Sequence, residues 1–417
     1  DYIHRFPRLC SKCGIKAEEM DIEKARELEP ELSRESIAAY YVEDAAVDPF
    51  HLSLDNLAQA IDLGATFLPG TIVTGLKMEK GKIDKIYVYN SSTREESTLC
   101  PEIVLNASGA WAGRVADLAG IEVNMIYSKG TLAITSNRIT DRVVNRLRPP
   151  GDGDLLVPGG NVSLLGTTAV RIPDLENIGP TVPEVDRIIE QGVQMLPGLE
   201  TARYIRSYAG VRPIYSPNAG TGGDRSASRG YALLDHKEQG VENFITLTGG
   251  KLTTYRLIAE RGADLVCKRL NKDLACRTDT EPLPKSEAGK WIETKKAPRE
   301  WLKHSEKGDV ILCECEMVPR SSFEQVLDTL PPQNKSQDLN ALRTRTRMGK
   351  GPCQGTFCSI RVSKYLHNLE DKQALIKDFL RARWKGMRPV SWGPQLAQAE
   401  MMEGMHCGLF GLEITRD

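Results

Sequence analysis

The sequence predicts an α/β (α+β) protein that carries a small cysteine-rich module near its C-terminus. Two buried-strand patterns, 103–105 and 244–248, each lead through a turn of small residues into a helix, as is typical of α/β folds. A hairpin pattern at 71–89 and short alternating strands over 125–171 predict further sheet. Four cysteines in the last quarter of the chain mark the module.

The composition excludes some classes of protein. The 417 residues are 40% hydrophobic and 27% charged, and the formal net charge is −1. Such a balance creates no global field for nucleic acid. No uncharged apolar run approaches the ~20 residues that cross a bilayer. We therefore expect two or three soluble domains, with any membrane association peripheral or through a partner subunit.

The first 270 residues predict one large domain. Apolar residues at helical spacing predict a helix over 51–63, and Lys80-Gly81 supplies the turn of the hairpin. A substrate-binding sheet is expected over roughly 125–215, with a helix at 182–196 inside it. The remaining boundaries follow from prolines, polar runs and cysteines: 1–270 for the large domain, 271–307 for a linker, 308–370 for the cysteine module and 371–417 for a tail.

Two turns of small residues are candidates for ligand binding. Asn106-Ala-Ser-Gly-Ala-Trp111 follows one buried strand, and Gly249-Gly-Lys-Leu-Thr-Thr254 follows the other. Turns of this kind bring backbone amides at a helix start against an anion or a ring. Each signal is weak alone, since plain strand-to-helix turns look similar. The second is no Walker A loop, because its spacing differs from G-x-x-x-x-G-K-[ST].

The cysteines predict an iron–sulfur cluster. Cys313 and Cys315 form a C-x-C arm, and Cys353 and Cys358 form a C-x4-C arm in a glycine-marked loop. Thiolates are soft donors, and a [2Fe–2S] cluster takes four of them, two per iron. We expect each arm to serve one iron. Zinc remains an alternative, although its cysteine pairs are usually spaced C-x2–4-C. Buried structural cysteine is a further one.

Several motifs together resemble a known family. They are Asn106-Ala-Ser-Gly-Ala-Trp, Leu165-Gly-Thr-Thr, Tyr208-Ala-Gly-Val-Arg-Pro, Ser228-Arg229 with Leu233-Leu-Asp-His236, and Thr248-Gly-Gly-Lys-Leu-Thr-Thr-Tyr-Arg256. The chain resembles the FAD-dependent glycerol-3-phosphate dehydrogenase family, in its anaerobic branch. Its cysteine module is similar to the bacterioferritin-associated-ferredoxin type.

The resemblance implies a D-amino-acid-oxidase-like flavoprotein fold. It implies that sn-glycerol 3-phosphate is oxidised to dihydroxyacetone phosphate by hydride transfer to FAD. Electrons would then pass through the [2Fe–2S] cluster toward quinone. Two partner subunits, an iron–sulfur protein and a membrane anchor, are expected on the cytoplasmic face of the inner (plasma) membrane, with no nucleic acid partner.

The resemblance also implies roles for single residues. Arg212, Arg229 and Lys251 would bind the substrate, since a phosphate dianion needs fixed cations and arginine's planar fork suits it. Arg212, Lys251 and His236 form the candidate catalytic set, although His236 could equally end a strand at a polar turn. Lys129 and Thr131 are expected to line the substrate pocket without a chemical role. The FAD contacts would be Val73, Ala107, Ser108, Gly109, Trp111, Gly249, Gly250, Leu252 and Thr253.

The chain departs from the family in one respect. Its members open with a strand, G-x-G-x-x-G and helix that hold the FAD pyrophosphate, and this segment is absent here. We therefore expect this chain alone to hold flavin weakly and to be inactive alone. Two other functions remain open. One is an FAD-dependent oxidase or dehydrogenase of an amino or hydroxy acid. The other is a non-catalytic iron–sulfur electron-transfer subunit.

Overall fold

The computed structural model describes residues 2–91, 93–176, 178–217, 230–283, 307–329, 339–366 and 372–412. Its helices are α1 (Tyr2–Lys12), α2 (Ile22–Leu28), α3 (Pro49–Asp62), α4 (Ala112–Asp117), α5 (Val182–Val193), α6 (Tyr255–Arg269), α7 (Arg320–Thr329), α8 (Leu339–Thr346), α9 (Thr356–Val362), α10 (Lys372–Trp384) and α11 (Pro394–Phe410). Its strands are β1 (Ala17–Met20), β2 (Ala39–Val42), β3 (Thr71–Glu79), β4 (Lys82–Asn90), β5 (Glu95–Leu99), β6 (Val104–Asn106), β7 (Met125–Thr135), β8 (Val144–Asn145), β9 (Leu155–Pro158), β10 (Ser163–Gly166), β11 (Val170–Ile172), β12 (Tyr204–Tyr215), β13 (Tyr231–Asp235), β14 (Phe244–Gly249), β15 (Ile311–Cys313) and β16 (Val318–Pro319).

Strand β7 is the centre of the largest sheet. Strand β12 pairs antiparallel with it along its full length, from Tyr204 opposite Thr135 to Tyr215 opposite Met125. The other edge of β7 is shared by β10 and β11, and the sheet continues from β10 through β9 to β8. This sheet lies within the region 125–215 predicted from the sequence.

Helix α5 covers one face of this sheet. Its apolar side chains Val185 and Ile188 are fully buried against Ala133 and Leu165 of the strands, as period-3.6 spacing on an amphipathic helix requires. The helix begins with a capping box, in which the Thr181 backbone N–H donates to Glu184 Oε2 at 3.0 Å. Proline in the first turn removes a donor that would lack a partner there.

A second sheet joins the two predicted strand–turn–helix segments. Strands β6 and β14 are parallel neighbours, with Phe244 opposite Val104, and β13 pairs antiparallel with β14. Because parallel neighbours end at the same edge, the turns that follow β6 and β14 lie side by side. The two candidate ligand turns are therefore brought together by strand order.

The predicted hairpin forms a separate sheet of β3, β4 and β5. Its β4 start is fastened by Asn243, whose amide accepts from the Ile83 N–H at 2.8 Å and donates to the Ile83 carbonyl at 3.0 Å. Buried Ile83 also packs with Phe244 and Ala116. A side-chain amide can thus replace a strand neighbour, since it offers one donor and one acceptor.

The cysteine module has its own core, which extends beyond the predicted boundary at residue 370. Cys313 and Cys358 are buried with Phe323, Leu342 and the side chains of other module helices. Tail residues Ile376, Phe379, Leu380 and Leu412 belong to the same core. Helices α10 and α11 are therefore part of the module and not a separate covering segment. In the described part of the chain, we find no helix of sufficient length and apolarity to traverse a bilayer.

Candidate active site and cysteine cluster

Arg212 lies on β12 opposite Ser128 of β7. Its Nη2 donates to Thr167 Oγ1 at 3.0 Å and to the Thr168 carbonyl at 3.1 Å, so the guanidinium is held across the sheet by the loop that follows β10. Pro213 next to it fixes φ and stiffens the backbone. The long side chain therefore has a defined position.

Gly130 makes room for that guanidinium. A Cβ at this position would lie 2.5 Å from Arg212 Nη2 and 2.7 Å from Thr167 Oγ1, which is closer than real Cβ contacts come. A glycine inside a strand often marks such a close approach. Because Gly130 has no side chain, the Arg212 side chain can cross over β7 at this point.

Arg212 lines a large cleft. The cleft has a volume of about 1850 Å³, and Gly166 and Thr167 belong to the same wall. The opposite walls come from α1, α2, the β1–β2 pair and the segment 138–155. A charged fork with a fixed position at the wall of a cleft is suited to bind an anionic group.

Lys129 and Thr131 lie on the other face of β7, because successive side chains alternate across a sheet. Lys129 is 5% exposed, and its ammonium pairs with Glu184 Oε2 at 3.0 Å beneath α5. The Thr131 side chain is fully buried, and its backbone N–H donates to Thr168 Oγ1 at 3.0 Å. The expectation that both line the substrate pocket with Arg212 is therefore wrong: they support the sheet from behind.

The turn after β6 is pinned by Asn106. Its Nδ2 donates to the Ala112 carbonyl at 2.9 Å, and its Oδ1 accepts from the Ser108 hydroxyl at 2.6 Å. Gly109 has φ +61°, a left-handed conformation that glycine adopts without strain. Thr248 Oγ1 on β14 donates to the Gly109 carbonyl at 3.3 Å, which ties this turn to the neighbouring strand.

The turn after β14 needs two successive glycines. Gly249 and Gly250 have φ +80° and +82°, and a Cβ on Gly250 would collide with Ile258 of α6. Lys251 follows and is exposed, with its backbone N–H donating to Thr254 Oγ1 at 3.1 Å. Ala107, Ser108 and Trp111 on the first turn and Leu252 and Thr253 on the second thus lie on adjacent turns.

His236 is a core residue. It is 1% exposed, and its ring stacks on Phe244 with centroids 5.0 Å apart. Its Nδ1 is 2.5 Å from Gln239 Oε1, and its Nε2 is 2.8 Å from Thr246 Oγ1. Both ring nitrogens are occupied by protein groups, so the geometry argues against His236 as the base and favours a strand that ends at a polar turn.

Two further predicted residues stand apart from this arrangement. Val73 lies on β3 in the hairpin sheet, exposed and opposite Val88. Arg229 lies outside the described residues.

The four predicted cluster cysteines approach one another. Cys358 and Cys313 form one hydrogen-bonded sulfur pair, and Cys315 and Cys353 form another. The Cys358 thiol also donates to the Gly355 carbonyl at 3.7 Å. The bonds within the pairs lower the pKa of Cys353 to about 6, and the pKa of Cys313 is lowered as well. The pKa values of Cys315 and Cys358 are raised by the same bonds and by burial.

The contacts run across the two cysteine arms, whereas the predicted iron pairs lie within each arm. Gly351 allows the approach, because a Cβ there would overlap the Cys315 side chain. Helix α9 begins just after Gly355, which has φ +89°, so the glycine-marked loop into a helix is present as predicted. Within the described ranges, no three Cys, His, Asp or Glu side chains converge on one point as ligands of a single metal ion.

Comparison with known proteins identifies the family. The model of the FAD dependent oxidoreductase family (DAO) matches residues 1–265. The A subunit of anaerobic glycerol-3-phosphate dehydrogenase from Haemophilus influenzae is 34% identical over 99% of this chain and 77% of its own length. The Escherichia coli K12 protein of the same name is 36% identical over 98% of this chain and 79% of its own.

This chain belongs to the FAD-dependent oxidoreductase family, in the branch of these anaerobic glycerol-3-phosphate dehydrogenase subunits. Solved structures show the same fold. The glycerol-3-phosphate dehydrogenase from Bacillus halodurans, complexed with FAD, superimposes with a TM-score of 0.60 at 18% identity, over 91% of this chain and 84% of that one. Glycine oxidase from Bacillus cereus gives 0.51 at 19% identity, over 68% and 72%. The expected D-amino-acid-oxidase-like flavoprotein fold is confirmed.

The two turns of this flavoprotein fit the cofactor of its family. Trp111 is 48% exposed and Leu252 is 51% exposed, although both are large apolar side chains beside strand ends. Such surface is suited to a flat aromatic ring. Nearby, the turns and the start of the 3-10 segment at Leu252 offer backbone N–H groups for polar atoms of a ligand.

Sequence reasoning assigned no role to Gly130, Thr167 or Asn106 of this flavoprotein. The signals were present, since Gly130 interrupts a strand pattern and Asn106 is a polar residue at the end of a buried strand. The sequence could not show which residues these contact. Arg212 and Thr167 are distant from Gly130 in the chain, and strand pairing brings them together.

Proposed function

We propose that this chain is the catalytic subunit of an FAD-dependent glycerol-3-phosphate dehydrogenase, which oxidises sn-glycerol 3-phosphate to dihydroxyacetone phosphate. The observation that carries the proposal is the Arg212 guanidinium, fixed over Gly130 at the wall of the cleft. The curated relatives that match nearly the whole chain are named for this activity.

Arg212 binds the phosphate of the substrate. A guanidinium offers parallel N–H donors that match two phosphate oxygens, and such charge-assisted bonds are about twice as strong as neutral ones. Arg229 and Lys251 supply further positive charge. Lys251 is exposed at the end of β14, in the second of the two turns proposed to hold FAD.

FAD, when bound, accepts the hydride that leaves C2 of the substrate, and the hydroxyl proton leaves to a base. The proposed FAD contacts are Val73, Ala107, Ser108, Gly109, Trp111, Gly249, Gly250, Leu252 and Thr253. Asn106 keeps the first turn in place through its bonds to Ala112 and Ser108. His236 is not proposed as the base, because both of its ring nitrogens are engaged inside the core.

Cys313, Cys315, Cys353 and Cys358 are proposed to hold a [2Fe–2S] cluster. Their sulfurs approach one another in two pairs, which suits two irons with two thiolates each better than one tetrahedral zinc ion. Such a cluster, held by these four thiolates, would supply one-electron transfer from the flavin. In this chain the proposed domains are the flavoprotein unit, the cysteine module with its tail, and a linker between them.

The relatives are named as single subunits, which implies further subunits in those enzymes. For this chain we propose an iron–sulfur partner and a membrane anchor that pass electrons to quinone. The complex would be peripheral on the cytoplasmic face of the membrane.

The test uses the full-length protein with FAD bound, under anaerobic conditions. The absorbance of the flavin is followed after addition of glycerol 3-phosphate, lactate or an amino acid. Only glycerol 3-phosphate is expected to bleach the flavin. Bleaching by lactate or an amino acid, with none by glycerol 3-phosphate, would refute the proposal.

Arg212→Gln tests the role of the arginine. Loss of a hydrogen bond to a charged group costs about 1.5–3 kcal/mol, so kcat/KM for glycerol 3-phosphate should fall at least about tenfold. Arg187→Gln is the matched control. It removes an exposed arginine of α5, which pairs with Asp152 away from Arg212, and should leave kcat/KM unchanged. Equal effects of both variants would contradict a specific role for Arg212.

A further inference from the structure

Three arginines meet where β12 touches the cysteine module. Arg206 lies on β12, Arg343 on α8 and Arg383 on α10. The contact is made by the backbone of the tail, since the Gly386 carbonyl accepts from the Ser207 N–H at 2.7 Å and from the Ser207 hydroxyl at 2.8 Å. These bonds bring the end of α10 beside Arg206.

Arg383 packs against the loop that carries Cys353 and Cys358. It is 4% exposed, and its Nη1 donates to the Gly349 carbonyl at 3.1 Å. A Cβ added to Gly349 would lie 2.9 Å from Arg383 Cδ, and one added to Gly355 would lie 3.1 Å from its Cγ. Gly355 lies between Cys353 and Cys358, so the arginine stem packs directly on the proposed cluster loop.

Arg383 is buried, Arg206 and Arg343 are half-buried, and the three like charges repel one another. Burial, then Arg206 and Arg343, lower the pKa of Arg383 to about 8, while Cys358 acts in the opposite direction. Burial and Arg343 lower the pKa of Arg206 to about 10. Among the described residues, no carboxylate acts on Arg206 or Arg383, and the Nε of each is buried with no hydrogen-bond acceptor.

Buried like charges are costly unless an anion compensates them. A [2Fe–2S] cluster held by four thiolates is such an anion, and it gains one further negative charge when it is reduced. Attraction to a fixed positive group is therefore stronger for the reduced cluster than for the oxidised one. Nearby charge is one of the factors that set cluster potentials.

We propose that Arg206, Arg343 and Arg383 form a positive field that raises the reduction potential of the cluster bound by the four cysteines. This inference rests on the proposed function. In the step concerned, the reduced flavin loses one electron and the cluster gains it, and no bond is made or broken. The arginines are positioning residues, because they act on the cluster through its charge and do not ligate it.

The experiment is a redox titration of the purified full-length protein, with the signal of the reduced cluster followed by electron paramagnetic resonance. The variants are Arg383→Gln and Arg206→Gln. Each is expected to keep full iron and sulfide content and to lower the midpoint potential. A tenfold loss in the equilibrium constant of reduction corresponds to about 59 mV for a one-electron couple.

Two controls separate charge from packing. Arg383→Lys keeps the charge, so the midpoint potential of its cluster should lie close to that of the wild type. Arg381→Gln removes an exposed charge two residues away on the same helix and should not shift it, because water screens exposed charges. If Arg383→Gln loses its iron, Arg206→Gln carries the test, since Arg206 lies on a strand outside the module.

The outcomes distinguish this inference from the proposed function. Full iron content with unshifted potentials in both glutamine variants overturns the inference alone. A shift as large in Arg381→Gln overturns it as well. A wild-type protein that binds FAD and oxidises glycerol 3-phosphate but holds no iron overturns both the cluster and the inference, and leaves the dehydrogenase activity standing.

Discussion

At Gly130, the difference between a hydrogen atom and a methyl group decides where Arg212 can lie. The Cβ of an alanine would lie 2.5 Å from Arg212 Nη2, so the guanidinium has to move. We expect Gly130→Ala to lower kcat/KM for glycerol 3-phosphate at least about tenfold, because a small displacement at a binding group is costly to catalysis. Steady-state kinetics with an artificial electron acceptor measure the effect.

Gly210 provides the control, because it is the β12 residue directly opposite Gly130. A Cβ on Gly210 would meet no atom within 4 Å. Gly210→Ala should therefore fold normally and keep the wild-type kcat/KM. If both alanine variants behave alike, the close approach at Gly130 is not what positions Arg212.

His236 gives the second prediction. His236→Leu removes one of the two side-chain partners of Thr246 Oγ1 inside the core and leaves the longer bond from Asn106 Nδ2 at 3.3 Å. Loss of one hydrogen bond costs about 0.5–1.5 kcal/mol. Denaturant unfolding should show this loss of stability. The pH profile of kcat/KM should keep its shape, because the ring does not exchange a proton with substrate. Disappearance of one limb of that profile would restore His236 as the base.

These residues show what sequence alone could and could not establish. Arg212 was identified because the motif Tyr208-Ala-Gly-Val-Arg-Pro resembles that of the family. The role of His236 could not be read, since a histidine at a strand end is compatible with catalysis and with packing. Gln239 and Thr246, which decide between the two, are recognised only when β13 pairs with β14.

Helix α3 connects the flavoprotein unit to the cysteine module. Asp48 caps the helix by accepting from the Phe50 N–H at 2.9 Å, and it also pairs with Arg347 of the module at 2.9 Å. His51, one turn on, places Nδ1 3.5 Å from Asp48 Oδ2 and Nε2 3.4 Å from the Arg345 carbonyl. Arg347 is therefore a residue of the junction between the two units.

This junction should make stability depend on pH. The hydrogen bond to Asp48 raises the pKa of His51 above its ordinary 6.5. A raised folded pKa contributes stability that is complete below the unfolded pKa and is lost as pH rises through the folded one. Since the pair is partly buried, we expect about 1 kcal/mol or less.

His51→Gln should therefore lower the unfolding free energy most below pH 6.5, and the difference from wild type should shrink as pH rises. Urea unfolding at a series of pH values measures it. A difference that stays constant with pH would show that the proton on His51 is not involved. The positive charge of Lys350 lowers the pKa of His51 and so opposes this shift.

The elements themselves were largely predictable. The helix expected over 51–63 is Pro49–Asp62, and the hairpin expected over 71–89 has its turn at Lys80-Gly81. Periodicity and turn residues are local signals, so they can be recognised in the sequence without knowledge of the tertiary structure. The placement of the tail is not local. The sequence predicted 371–417 as a separate tail, and only the shared core shows that Phe379 and Leu412 belong to the cysteine module.

At the scale of the whole molecule, the tail should therefore be required for the cluster. Phe379 is 1% exposed, and its ring packs within reach of Gly349 and Gly355. Phe379→Ala should cost about 3–5 kcal/mol and release iron from the module. Iron content after purification and urea unfolding measure both effects. Met401→Ala, an exposed methionine on α11, should retain iron and stability. Full iron in Phe379→Ala would contradict a common core.

Strand β12 also sets a fixed distance between two parts of the molecule. Arg212 faces the cleft near one end, and Ser207 is bonded to Gly386 of the tail near the other. Five residues of strand span about 17 Å. Because every residue of this stretch is paired to β7, its length cannot change unless the hydrogen bonds between the two strands break. The proposed substrate-binding arginine and the contact with the cysteine module are thus held at a fixed spacing along one paired strand.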